Sequence, residues 1–255
     1  MYLIFGNPVS HSKSPLMHNY FFKKQNINEC YGRFCLENGE EIINKFKKLK
    51  IKGANVTVPH KEAAFKLCDE VRGIAKEIGA VNTLVLENDK VIGYNTDAPG
   101  FLEAIKEFSY KNVLIIGAGG TAKALSLVLP EADILNRSES RLSYFKVKNK
   151  NCFKWDDIVN FNYDLIINTT SAGLNDNNYP APVEILKKLF SNAKYAVDVI
   201  YSKETPFLKL AKDFNLLTKT GLDMLVYQGI LAMELFLGKE LDKKETAKIY
   251  FEILM

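Results

Sequence analysis

Lys111–Ala122 reads KNVLIIGAGGTA. Four apolar residues, Val113 to Ile116, run straight into Gly117, Gly119 and Gly120. A short, continuously apolar run is what a parallel strand covered on both faces requires. The glycines let the chain turn sharply and approach a ligand, with helix N–H groups aimed at a pyrophosphate. Gly117-x-Gly119-x-x-Ala122 fits the dinucleotide fingerprint, with Ala122 where a small residue keeps helix and strand close. A plain tight strand–helix turn is the competing reading. Most of the chain beyond this turn reads as a nucleotide half, and most of the chain before it as a half for a second ligand.

A chain of 255 residues, 47% of them hydrophobic, can bury a large core and is expected to split into two domains. The net charge of +4 is mild and its cations are interspersed with Asp and Glu, so no nucleic-acid stripe is expected. A weak positive potential suits an anionic small molecule. Cys30, Cys35, Cys68 and Cys152 lack ligand-like spacing and read as reduced, mostly buried thiols of a cytosolic, hence cytoplasmic, protein. MYLIFGNPVS has no signal-peptide character, and no apolar run approaches membrane-spanning length.

Outward from the fingerprint toward the N-terminus, Tyr2–Phe5 is an expected strand stopped by Gly6-Asn7-Pro8. The loop after it, Ser10-His11-Ser12-Lys13-Ser14-Pro15, is rich in hydroxyls. Ser14 fits an N-cap with Pro15 at the first helical position, or a ligand group together with Ser12. Tyr31–Leu36 reads as a strand and Glu40–Leu49 as an amphipathic helix. Ala54-Asn55-Val56-Thr57-Val58-Pro59-His60-Lys61 then ends a β-branched strand on polar groups, where open α/β sheets bind ligands. Lys61 is either a surface cation or a functional one, and His60 a cap or supporting group rather than a catalyst. Asn82, in an otherwise apolar strand start, bonds a ligand or ties down a loop. Asp97 is a helix cap before Pro99, or the carboxylate partner of Lys61 in proton transfer at a carbonyl or alcohol.

Toward the C-terminus, a short helix over Thr121–Leu129 and a strand over Ala132–Leu135 lead to Asn136-Arg137-Ser138. An NAD site places Asp or Glu about twenty residues past the fingerprint, on the ribose hydroxyls. Asn136 and Arg137 stand there instead, and an arginine can fork onto a 2′-phosphate, which favours NADPH; Arg141 adds a second charge. Asp164–Asn168 is a strand followed by the small hydroxyl-rich loop Thr169-Thr170-Ser171-Ala172-Gly173. Tyr195–Val199 is another, with Asp198 unusual inside it and Tyr201 beyond. Gln228, on an apolar helix ending near Leu237, is a core amide or a ligand group. A last helix, Asp242 to about Leu254, is expected to return to the first half. The expected fold is therefore two-domain α/β. Residues 1–98 and 225–255 form a substrate domain with a mixed sheet, and 99–224 a Rossmann-like NADP-binding domain.

HSKSP, NVTVPHK, VNT, NTDAPG, GAGG, NRS, NTTSAG and GLDMLVYQG, in this order across the whole chain, resemble the AroE-like shikimate dehydrogenase family. The resemblance implies reversible NADPH-dependent reduction of 3-dehydroshikimate to shikimate in aromatic amino acid synthesis. It implies Lys61 and Asp97 as the catalytic pair, with Ser12, Ser14, Thr57, Asn82, Tyr201 and Gln228 also on the substrate. For the cofactor it implies Gly117, Ala118, Gly119, Gly120, Thr121 and Ala122 at the pyrophosphate. Asn136, Arg137, Ser138 and Arg141 would hold the adenosine phosphate, with Thr169, Thr170, Ser171, Val199, Gly221 and Met224 toward the nicotinamide. No metal, nucleic acid or membrane partner is implied, and a monomer or homodimer fits. The span from Gly120 to Asn136 is shorter than is usual in the family, so its helix or loop is trimmed.

The chemistry agrees with that resemblance. Hydride passes from nicotinamide C4 to a ketone carbon, and the developing alkoxide needs a proton and a nearby cation. Closure of the two halves is expected to exclude water. A quinate/shikimate dehydrogenase shares most of these motifs, and a non-catalytic dinucleotide-binding module would need neither Lys61 nor Asp97.

Overall fold

The computed structural model describes residues 1–148 and 150–255. In chain order the elements begin with β1 (Tyr2–Gly6), α1 (Ser14–Lys24), β2 (Tyr31–Cys35), α2 (Ile42–Lys48), β3 (Gly53–Val56), α3 (Lys61–Leu67), β4 (Glu70–Val71) and α4 (Ala75–Ile78). Then come β5 (Thr83–Glu87), β6 (Lys90–Tyr94), α5 (Asp97–Ile105), β7 (Val113–Ile116), α6 (Gly120–Val128), β8 (Asp133–Leu135), α7 (Ser143–Val147) and β9 (Cys152–Phe153). The chain ends with β10 (Leu165–Asn168), α8 (Val183–Phe190), β11 (Tyr195–Asp198), α9 (Pro206–Asp213), β12 (Leu217–Lys219), α10 (Gly221–Leu237) and α11 (Lys243–Leu254). Two compact units emerge, one of 1–100 with 226–255 and one of 101–225, so the chain changes unit inside α5 and again inside α10.

The second unit carries a six-stranded sheet in the order β12-β11-β10-β7-β8-β9, and every pair in it is parallel. The apolar run of β7 shows why. Val113 and Ile115 enter one core with Leu125 of α6, while Leu114 and Ile116 enter another with Leu186 of α8. Successive side chains of a strand point to opposite faces, so a strand apolar at every position must be covered twice. From β7 the chain winds out through β8 and β9, then returns to the other side of β7 for β10, β11 and β12. The reversal leaves a crevice beyond the carboxyl ends of β7 and β10, where doubly wound sheets take ligands.

The first unit holds a mixed sheet, β2-β1-β3-β5-β6-β4. β1 runs parallel to β2 and β3, whereas β5 lies antiparallel to both β3 and β6. Tyr2 and Ile4 pack with α1, α10 and α11, while Leu3 and Phe5 pack with Phe46 of α2. Gly100 lets α5 meet α10 backbone to side, since a Cβ there would stand 2.5 Å from Gln228 N and 2.6 Å from its Cα.

Several local expectations change. Glu40–Leu49 is not one helix but a 3-10 turn over Gly39–Glu41 followed by α2, with Asn38 capping the turn through Glu40 N (3.0 Å). Ser14 does not cap α1: it is the first helical residue, Lys13 precedes it as cap without a side-chain bond, and Ser12 Oγ accepts from Ser14 N (3.3 Å). The cysteines are free, but Cys30 and Cys35 are exposed and Cys68 and Cys152 only half-buried, because they lie at strand ends and edges rather than in the core.

His18 of α1 is fully buried, with Nδ1 2.9 Å from Tyr250 Oη of α11, and burial pushes its pKa down to about 3. Folding therefore requires the neutral ring, while the unfolded chain takes up a proton below about pH 6.5. Stability on this account falls as pH drops from 6.5 toward 3. In denaturant titrations at pH 7.5 and 4.5, His18→Phe should lose roughly 2–3 kcal/mol less than wild type between the two pH values. Equal losses would show that His18 is not the group that titrates.

Candidate active site

In the first unit, topology gathers chemistry at one sheet edge. β1 and β3 end side by side, with Phe5 opposite Val56. β5 runs the other way, so its start lies at their ends: Asn55 opposes Thr83, and Thr83 opposes Tyr94 at the end of β6. The segments leading out of these ends contribute Ser12, Ser14, Thr57, Lys61, Asn82 and Asp97.

Lys61 opens α3 and Asp97 opens α5, and Lys61 Nζ donates to Asp97 Oδ2 at 2.6 Å. The side chains remain 32% and 20% exposed, enough for both to reach a ligand. Asp97 is free for this bond because it does not cap its helix. Asn95 does so, its Oδ1 accepting from Asp97 N at 3.1 Å and Ala98 N at 3.4 Å. Lys61 is tied from behind as well: its carbonyl accepts from Val81 N at 2.9 Å, which sets α3 against the approach to β5.

Asn82 is 2% exposed, and its amide is held by the loop after β6. Its Oδ1 accepts from Thr96 N (2.8 Å) and Thr83 Oγ1 (2.9 Å), and its Nδ2 donates to Thr96 Oγ1 (3.0 Å). Gln228 is buried on α10 against Gly100, three residues along α5 from Asp97. Ser12 and Ser14 are buried in the turn into α1, and among the described residues the Ser14 hydroxyl has no hydrogen-bond partner. Thr57 is half-buried, its carbonyl accepting from His60 N (3.0 Å). His60 is structural: its Nε2 lies 2.6 Å from the Leu36 carbonyl oxygen and its ring is buried. Tyr201, grouped with these residues in the sequence, belongs to the second unit, where burial pushes its phenol pKa up.

The polar partners Asn55, Thr83 and Thr96 escaped the sequence reading. Asn55 and Thr83 are polar residues inside apolar strands, the same signal that singled out Asn82.

The second unit has a cavity of about 720 Å³ at the crevice beside β7. It is lined by Gly117, Ala118 and Gly119 after β7, by Asn136, Arg137 and Arg141 after β8, and by Thr169, Thr170 and Ser171 after β10. Trp155, Asp176 and residues 178–183 complete the wall. Gly117 has φ +113°, and a Cβ on it would stand 2.6 Å from Thr169 Oγ1. Around Gly119 and Gly120 there is instead open space, the cradle that a phosphate beside bare N–H groups requires.

Charge around the cavity is set by where the carboxylates go. Glu139 pairs with Lys146 at 2.8 Å rather than with either nearby arginine, and Lys146 holds its carboxyl below the usual range. Among the described residues, Arg137 and Arg141 form no ion pair. Asp176 is consumed by its own loop, accepting from Gly173 N (2.8 Å) and Asn178 N (3.0 Å), which lower its pKa.

The hydroxyl-rich loop is likewise braced. Thr169 Oγ1 donates to the Ile116 carbonyl (2.8 Å), and Thr170 Oγ1 to Asn168 Oδ1 (2.8 Å). Asn168 in turn donates to the buried Asp198 (2.9 Å), which also accepts from Thr205 Oγ1 (2.7 Å) and Ile200 N (3.0 Å). Burial pushes the Asp198 pKa up while these donors oppose the shift.

The remaining expected cofactor residues lie off the cavity wall. Gly120, Thr121 and Ala122 belong to α6, and Ala122 is packed in the core. Ser138 lies just beyond the wall, its carbonyl accepting from the amide of the wall residue Asn136 at 2.9 Å. Val199 N donates to Asn168 O (3.1 Å), Gly221 N to Ile200 O (3.1 Å), and Met224 packs on the core beneath β7.

Residues 4–84 match the family model described as the shikimate dehydrogenase substrate binding domain. A shikimate dehydrogenase (NADP(+)) of Helicobacter hepaticus is 48% identical over 95% of this chain and 92% of its own length. One from Methanococcus maripaludis is 40% identical over 94% and 92% respectively. Among solved structures, the shikimate 5-dehydrogenase of Thermus thermophilus, in complex with NADP(H) and shikimate, superposes with a TM-score of 0.86. It is 31% identical and covers 99% of this chain and 98% of its own. Likeness of this extent, spanning both units, decides the family: the chain belongs to the shikimate dehydrogenases.

Proposed function

We infer that this chain is an NADP-dependent oxidoreductase that interconverts 3-dehydroshikimate and shikimate. The observation that carries the assignment of chemistry to residues is the bond between Lys61 and Asp97. An exposed or half-exposed ion pair contributes only about 0–1 kcal/mol to stability, so folding alone gives little reason for one to be built this carefully.

In this reading Lys61 is the group at the reacting oxygen. As an ammonium it stabilises the negative charge that develops there and supplies the proton that completes the hydroxyl. In the oxidation direction the hydroxyl proton returns to the amine. Asp97 holds the amine in place and accepts from a neighbouring ring hydroxyl. Ser12 and Ser14 hold the ring carboxylate, a handle that takes no part in the reaction, and Thr57, Asn82 and Gln228 complete the first unit's polar contacts.

Bound NADPH supplies the hydride. The cavity residues suit it: the turn leaves open space at Gly119 and Gly120 for the pyrophosphate, and two arginines that form no ion pair among the described residues stand where an NAD site needs a carboxylate. Arg137 and Arg141 would take the 2′-phosphate, and Thr169 to Ser171 the cofactor's other side.

Two mutants test these roles, with the single tryptophan, Trp155, as a fluorescent reporter in the cavity wall. Lys61→Ala should lower kcat for shikimate oxidation by about a hundredfold or more while NADPH still quenches Trp155 with wild-type affinity. Unchanged turnover would remove Lys61 from the chemistry. Arg137→Ala should weaken NADPH about tenfold, the scale of one charge-assisted hydrogen bond, and leave NADH unaffected. Equal weakening of the two nucleotides would refute the phosphate contact.

A further inference from the structure

A line of buried polar side chains crosses the first unit's sheet toward Asn82. Tyr31 of β2, Asn55 of β3, Thr83 of β5 and Asn82 are each at most 5% exposed. Tyr31 Oη donates to Asn55 Oδ1 at 2.6 Å. Asn55 Nδ2 donates to Thr83 Oγ1 at 3.1 Å and to the Asn82 carbonyl at 3.3 Å. Thr83 Oγ1 then donates to Asn82 Oδ1 at 2.9 Å.

We propose that Tyr31, Asn55 and Thr83 are positioning residues that fix which way the Asn82 side-chain amide faces, and so present its N–H to a substrate hydroxyl. The proposal rests on the reading of Asn82 as a substrate-binding group. Every donor in the line points the same way. The Thr83 hydroxyl has one proton, and it is available to Asn82 only while Asn55 offers its N–H₂ to Thr83 and keeps its oxygen for Tyr31. Were Asn55 to turn over, its oxygen would draw that proton and face the Asn82 carbonyl. Burial pushes the Tyr31 phenol well above its ordinary range, so it stays a donor across the working pH range.

At the far end, Thr96 N–H can only donate, and together with Thr83 it commits Asn82 Oδ1 inward. Asn82 Nδ2 has two protons and spends one on Thr96 Oγ1. The second is left as a donor of fixed direction. A freely turning amide would offer oxygen or nitrogen indifferently, and a ring hydroxyl would lose a partner of known polarity.

A double-mutant cycle tests the line through kcat/KM for shikimate, with NADP affinity read from Trp155 and thermal stability recorded alongside. Tyr31→Phe and Thr83→Val should each lower kcat/KM about three- to tenfold, mainly through KM, with NADP affinity unchanged. Thr83→Ser, which keeps the hydroxyl, should restore the wild-type value. In an Asn82→Ala background neither substitution should cost anything further. Losses that add fully to that of Asn82→Ala, or wild-type kinetics in both single variants, would overturn the positioning role. If Asn82→Ala alone left kcat/KM unchanged, the substrate reading of Asn82 would fall, and the proposal with it.

Discussion

A carboxylate at the first residue of a helix is normally drawn to the helix's own free N–H groups. In this chain Asn95 satisfies Asp97 N and Ala98 N, and the Asp97 carboxylate is left to hold the Lys61 ammonium at 2.6 Å. The arrangement depends on the mixed sheet. Because β5 runs against β3 and β6, the ends of β3 and β6 lie beside the start of β5, and α3 and α5 begin within one side chain's reach of each other. A purely parallel order would not bring a residue that precedes a strand, such as Asn82, to that edge.

Diversion of partners recurs in the second unit. Glu139 is taken by Lys146, which leaves Arg137 and Arg141 without an ion pair among the described residues. Asp176 and Asp198 are absorbed by the N–H and hydroxyl groups of their own loops. The cavity wall is rigid where hydrogen bonds hold it and cationic where carboxylates have been withdrawn. That combination favours a ligand with an extra phosphate over one without it.

Much of this was legible in the sequence, for identifiable reasons. The run over 113–116 is apolar at every position, and only a strand covered on both faces uses such a run. Lys61, Asp97 and Asn82 stood out as polar groups at strand ends or inside apolar segments. That Ser14 would not cap α1 was not legible, because a serine directly before a proline fits the N-cap pattern, whereas the backbone places Lys13 at the cap and Ser14 inside the helix. The two-residue strands β4 and β9 are too short for any alternation to register. Trp155 and residues 178–183 reach the cavity only through the folding of the second unit, and no local pattern announces that. Asn55 and Thr83 carried the signal of buried polar residues, but their partner Tyr31 lies two strands away from β3 in the sheet, beyond local inference.

The account turns on the Lys61 amine meeting the oxygen whose carbon exchanges the hydride. A crystal structure with NADP⁺ and shikimate both bound measures that separation directly. Lys61 Nζ should lie within about 3.2 Å of the reacting hydroxyl while keeping its bond to Asp97. A separation beyond about 5 Å, with another donor at that oxygen, would contradict the account.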